Sequence, residues 1–168
     1  ISTSAGRLFD AVSAILGICR VSTFEGEAAM ALEFAAEAWE QADPSKSDYR
    51  NYAVEYYQKL LYLPTYKLVQ DIAEDFLSGH SAGYLAYGFH QALADMTAAA
   101  CCKARANTGI ATVALSGGVF QNRLLLQLCD KKLQQNGFNV LKHSLLPAND
   151  GGIALGQAVA AMQNIQDS

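Results

Sequence analysis

The chain has 168 residues, 51% hydrophobic and 17% charged, which describes one ordered domain with a core and excludes a disordered segment. Its net charge of −4, with Lys131–Lys132 the only adjacent basic pair, excludes a nucleic-acid surface. No apolar run is long enough to cross a bilayer, and the opening Ile1–Ala11 lacks the basic and apolar regions of a signal peptide, so the expectation is a cytoplasmic protein that binds no membrane. In chain order, Leu8, Val12, Ile15 and Leu16 recur at helical spacing and predict a helix over 6–18 that stops at Gly17. Gly26–Asp43 is rich in Ala and Glu and predicts a second helix, with a surface turn at Pro44–Asp48 beyond its end. Tyr49–Gln58 alternates Tyr and Val with polar residues, the period of a half-buried strand. A helix follows from about Thr65, with Thr65 as its cap and Gly79 as its stop, and a longer one with an apolar stripe runs over 81–109.

The period then changes. Ile110–Ser116 is a β-rich run of buried type, Val119–Gly137 a helix, Phe138–Ser144 a second strand, Leu145–Asp150 a loop and Gly151–Ile165 a closing helix. Strand, helix, strand and helix over 110–165 make a βαβ unit with a right-handed crossover, inside a single α/β domain spanning 1–168. Neither repeats nor low-complexity segments occur. The four cysteines Cys19, Cys101, Cys102 and Cys129 form no CxxC and read as small apolar residues. A chain that opens on Ile1 without an initiator Met reads as a piece of something longer.

Two glycine-rich junctions stand where chemistry could occur. Ser116-Gly117-Gly118 joins the first strand to its helix, where bare glycine backbone and a helix N-terminus suit a phosphate. On this reading Asn122, one turn into the helix, reaches a phosphate or ribose. A tight turn with no ligand explains the same residues equally well. The stretch is neither a GKS/GKT P-loop nor GxGxxG, and Ser116 is not read as a nucleophile, because GxSxG is absent and no base is indicated. Asp150, followed by Gly151-Gly152, is either a helix cap or a carboxylate at the sheet edge able to hold a cation. His80, His90 and His143 lack metal-ligand spacing, and His90 reads as a core histidine. Asp10 is a carboxylate inside a helix otherwise made of core residues and faces a ligand on the functional reading.

Together, the segments at Ser4–Ile18, Ser22–Glu33, Gly88–Met96, Ala114–Leu125 and Leu145–Ala158 resemble the C-terminal part of the HypF family, carbamoyltransferases of nickel–iron hydrogenase maturation. The resemblance runs from Ser4 to about Ala160. It implies an actin-like ATPase (ASKHA) lobe, a mixed sheet with flanking helices, similar to the tRNA threonylcarbamoyl-transferase domain. It further implies that ATP and carbamoyl phosphate become carbamoyl-adenylate elsewhere in the full protein. The carbamoyl group then passes to the C-terminal cysteine of a HypE-type acceptor, later to become a metal-bound cyanide. By matching motifs, Asp10 would accept from the ribose, Gly26 would lie under the adenosine, Gly117, Gly118 and Asn122 would line the nucleotide cleft, and Glu33 would touch the nucleoside. The spacing around Thr23–Ala29 differs from the tRNA-modifying relative by a short insertion. Asp150 matches one ligand of a single metal ion, iron or zinc, whose other ligands include an HxxxH pair absent from these residues. The resemblance therefore places the first lobe and most metal ligands upstream, in further modules of the same chain, and predicts self-association and no transfer activity for this piece alone. An O-carbamoyltransferase of antibiotic biosynthesis and a non-catalytic nucleotide-binding module are the alternatives.

Overall fold

A computed structural model describes residues 4–42, 49–57 and 60–166; the turn expected at Pro44–Asp48, and Asp43 and Gln58 at the ends of two expected elements, lie outside the described residues. Helix α1 (Ala5–Ile15) ends at Leu16, with Gly17 at φ +69°, and α2 (Glu27–Ala42) follows a turn through Gly26. Helix α3 (Thr65–Leu77) begins where expected, but Pro64 occupies the capping position and Thr65 is already helical. That suits proline, which has no N–H to satisfy at a helix start. Helix α4 (Ala82–Thr108) is capped by the Ser81 hydroxyl, which accepts from the Tyr84 amide at 3.3 Å, and it ends on Gly109 in the left-handed region.

Helix α4 is the centre of the molecule. Over Leu85–Ala94 every residue is buried, because α2 packs against one part of its circumference, α5 (Arg123–Gln135) and α3 against others, and Phe9 of α1 sets its ring on Phe89 and His90. Phe9, Val12, Leu32, Leu68, Ile72, Phe89, Met96 and Leu133 meet in one core. Complete burial of side chains of this size contributes about 1.5–3 kcal/mol each before the loss of chain entropy is counted. A Cβ on Gly88 would stand 2.7 Å from the Tyr49 ring, so only glycine lets that ring come this close to α4.

The expected strand over 49–58 is mostly not a strand. Only β1 (Glu55–Tyr57) pairs, antiparallel, with a short strand that the periodicity did not predict, β2 (Leu60–Tyr62). The preceding residues have no regular secondary structure and are held by their side chains. The Tyr49 hydroxyl donates to Asp75 at 2.9 Å, the Tyr52 hydroxyl to Asp71 at 3.0 Å, and Arg50 bridges both carboxylates. The Tyr49 amide donates to the Gln91 side chain, so alternation here records anchoring to α3 and α4 rather than a sheet.

Strands β3 (Thr112–Leu115) and β4 (Asn139–Lys142) pair in parallel, with Thr112 opposite Asn139 and Leu115 opposite Lys142. Helix α5 connects them and packs back on β4, as a βαβ unit requires, with α4 on its other side. Two expectations are corrected. Among the described residues the strands form two separate two-stranded sheets, not one mixed sheet. The run over 110–116 is also not of buried type: within β3 only Leu115 is buried, and Ile110 lies exposed. Helix α6 (Ile153–Gln166) likewise leaves Ile153, Leu155, Val159 and Met162 exposed. No helix among the described residues is long and apolar enough to cross a membrane.

Candidate functional site

Parallel pairing brings the carboxyl ends of β3 and β4 to one edge, the edge at which α/β proteins bind ligands. Two loops rise from it and are tied together where the Gly117 amide donates to the Ala148 carbonyl at 2.8 Å. Gly117 has φ +102°, a conformation an L side chain rarely adopts, and a Cβ on Gly117 or Gly118 would meet nothing within 4 Å. The glycine backbone is therefore an open floor. A 3-10 turn, Gly118–Gln121, continues from it into α5.

The helix start itself is not open. Helix α5 begins at Arg123 rather than at Val119, so Asn122 is its cap and not a residue one turn inside it. The Asn122 side-chain oxygen accepts from the Leu125 amide at 2.8 Å. Glu33, reaching from α2, accepts with one oxygen from the Arg123 amide at 2.6 Å and the Leu124 amide at 3.1 Å. All three leading amides of α5 are thus satisfied by the protein's own side chains, which moves any anion seat from the helix end to the glycine turn before it. Glu33 and Asn122 are both buried. Burial pushes the Glu33 carboxyl above its ordinary range, and the two backbone N–H groups oppose that shift.

Behind Asn122 stands His90, fully buried. The Asn122 amide nitrogen lies 3.0 Å from His90 Nε2, and His90 Nδ1 lies 2.7 Å from the Ala86 carbonyl. One assignment satisfies both: Asn122 donates to Nε2, and Nδ1–H donates to Ala86. Burial holds the ring neutral, with its pKa pushed down to about 4. The expected core histidine is therefore a buttress for the α5 cap. Its ring also meets Phe9 edge-on at 5.3 Å between centroids, which joins α1 to this cluster. Asp10, next to Phe9, pairs with Arg7 at 3.3 Å near the surface. Gly26 has φ +83°, lies open and accepts the Met30 amide at 3.0 Å.

On the second loop, the cap is Asn149, whose side chain accepts from the Gly151 amide at 3.0 Å. Asp150 is exposed, and among the described residues its carboxylate makes no hydrogen bond or ion pair. The capping explanation of Asp150 thus passes to its neighbour. No cluster of three metal-ligating side chains occurs among the described residues, so Asp150 fits a cation as a single ligand and not as a cage.

One pair escaped the sequence reading. Ser116 Oγ lies 2.8 Å from His143 Nε2. The two residues directly follow Leu115 and Lys142, which the parallel register sets side by side. A base does stand beside Ser116, contrary to expectation, and the register was the signal that could have found it. His143 also lines a cavity of about 310 Å³ with Leu115, Phe120, Gln121, Leu126 and residues 146–148 of the second loop.

The family model described as "Carbamoyltransferase, Kae1-like Domain, second subdomain" matches residues 1–157. The chain is 34% identical over 160 residues to a probable carbamoyltransferase HypF of Methanocaldococcus jannaschii, covering 95% of this chain and 20% of that protein. It is 36% identical over 173 residues to carbamoyltransferase HypF of Rhodobacter capsulatus, covering 100% of this chain and 21% of the relative. Among solved structures, full-length HypF in a phosphate- and nucleotide-bound form superposes with a TM-score of 0.85 at 37% identity, over 96% of this chain and 20% of that one. HypF of T. kodakarensis gives 0.74 at 30% identity, over 98% and 20%. The chain spans about a fifth of the length of these relatives.

Proposed function

We propose, from the premise that this chain belongs to the HypF carbamoyltransferase family, that it supplies one wall of a carbamoyl-transfer site in a larger protein. The observation that carries the proposal is the rim at the carboxyl edge of β3 and β4. There the open Gly117-Gly118 floor and the unpaired Asp150 carboxylate lie on two loops joined by one hydrogen bond. The reaction is transfer of a carbamoyl group from carbamoyl-adenylate, made from ATP and carbamoyl phosphate, to the C-terminal cysteine thiol of a HypE-type acceptor. A related structure that holds phosphate and nucleotide supports a nucleotide as the ligand.

Each residue of the rim then has a physical task. Gly117 and Gly118 let the nucleotide's phosphate approach the backbone without meeting a side chain. Glu33 and Asn122 act behind them: by satisfying the first amides of α5 they fix where the glycine turn begins. Asp10 accepts from the ribose hydroxyls, and Gly26, which has no side chain to intrude, lies under the adenosine. Asp150 would hold a cation through a carboxylate oxygen; when bound, that ion supplies charge neutralisation at the leaving phosphate.

The test mixes the full-length protein with ATP, carbamoyl phosphate and an acceptor protein whose only thiol is its C-terminal cysteine. The expected result is a carbamoyl adduct on that thiol by mass spectrometry, dependent on ATP. Carbamoylation of a small hydroxylated compound but not of the thiol would refute the acceptor assignment. Nucleotide binding without any transfer would refute the enzyme assignment.

A further inference from the structure

The transfer needs a group that takes the acceptor's proton, and none of the residues assigned above does so. A thiol has an ordinary pKa near 8.5 and is mostly protonated at neutral pH, so its attack on a carbamoyl carbon is assisted by a nearby base. Of the three histidines, His90 has both ring nitrogens engaged in the core. His80 sits in the turn after α3, its Nδ1 on the Asp75 carbonyl at 3.1 Å. His143 alone lies at the strand edge beside the glycine turn, exposed, lining the cavity, and held at Nε2 by Ser116 at 2.8 Å.

We infer that His143 is the general base for the acceptor nucleophile and that Ser116 positions its ring. The inference rests on the carbamoyl-transfer reading. When Nε2–H donates to Ser116 Oγ, the Nδ1 lone pair is left to take a proton, and the serine oxygen stabilises the imidazolium that forms. In the step, the acceptor sulfur bonds to the carbamoyl carbon as the bond from that carbon to the phosphate oxygen breaks. AMP departs with the electron pair, and the thiol proton goes to His143 and then to water. Nothing is oxidised or reduced, and the phosphate leaves as an anion without needing an acid. Ser116 is not the nucleophile here, because the mixed anhydride is already activated and a seryl intermediate would add a step. The apolar wall of Leu115, Phe120 and Leu126 beside the ring keeps competing water from the same carbon.

The experiment uses the full-length protein, with pyrophosphate release measured separately from carbamoylation of the acceptor thiol. His143→Gln is expected to lower turnover in the transfer step by about 10²–10⁴-fold while adenylate formation and the acceptor KM stay unchanged. His143→Ala should be rescued by added imidazoles, with a rate that rises with the basicity of the azole, a dependence that a structural role would not produce. Ser116→Ala should lower turnover less than loss of the ring does, with the acceptor KM unchanged. Transfer at the wild-type rate in His143→Gln, or rescue insensitive to azole basicity, overturns the base assignment. A carbamoyl adduct trapped on Ser116 overturns it in favour of a covalent route. Failure of the wild-type protein to carbamoylate any acceptor, with pyrophosphate still released, removes the transfer reading itself and this inference with it.

Discussion

Glu33 is the residue whose perturbation most directly tests how the site is built. Its carboxylate, buried between α2 and α5, serves as acceptor for two backbone amides. In Glu33→Ala both amides lose their partner, and each buried unsatisfied donor costs about 1–3 kcal/mol. Partial entry of water returns some of that cost, so the expected loss is about 2–4 kcal/mol. Glu33→Gln behaves differently. Its side-chain oxygen can accept both amides, and what it removes is a charge whose burial already raises the carboxyl pKa above the ordinary 4.5. Stability should therefore change by no more than about 1 kcal/mol, the glutamine resembling the protonated acid. The pH dependence has a definite sign. Between the unfolded value and the raised folded value, the folded state keeps a proton that the unfolded state has released. Raising the pH through that interval therefore removes stability, and acidifying from neutral restores it until the unfolded value is reached. The Gln variant should lack this component. Urea unfolding of the 168-residue chain, followed by circular dichroism across pH 4–7, checks both points. An alanine variant as stable as wild type would show that Glu33 does not cap α5. A glutamine variant that loses as much as alanine would show that the charge, not the acceptor geometry, carries the contact.

Asp150→Asn in the full-length protein should abolish transfer and lower bound metal while changing stability by less than about 1 kcal/mol, because Asn149 and not Asp150 caps the turn; retained metal and transfer would refute the ligand role. Gly88→Ala should destabilise the chain by about 1–3 kcal/mol, since its Cβ would sit 2.7 Å from the Tyr49 ring, and an unchanged urea midpoint would contradict this packing. The 168-residue chain should show no heat of ATP binding in calorimetry at micromolar concentration. Its α5 amides are already occupied, and each charge-assisted contact it does not make forgoes about 1.5–3 kcal/mol. The same chain should self-associate through exposed apolar residues such as Val159 and Met162, and light scattering showing a monomer at high concentration would refute it.

Much of the fold was legible because it is encoded locally. Gly17, Gly79 and Gly109 end helices in the sequence and take positive φ in the structure, since the left-handed turn that closes these helices favours a residue without Cβ. The switch from helical to strand character around Ile110 announced the β3–α5–β4 unit. His90, on a largely apolar stretch, was readable as a core residue. The glycine pairs and Asp150, with their flanking motifs, carried the family. What stayed illegible depends on partners remote in sequence. Glu33 reaches the start of α5 across a separation of 90 residues, and no local pattern in the second helix says that one of its carboxylates turns inward. Asn122 is the cap of α5 and not a residue one turn inside it, because the helix starts where Asn122 and Glu33, the latter reaching from α2, satisfy the first amides. The Tyr49–Val54 segment alternates like a strand, yet is held by Asp71, Asp75 and Gln91, so its period reports which side chains are anchored and not what the backbone pairs with. Ser116 and His143 meet only because the parallel register aligns the ends of two strands and so the residues that follow them; a slip of one residue would part them. Local sequence sets the turns and periods through backbone sterics, whereas the occupancy of each donor and acceptor is set by packing, which only the assembled chain decides.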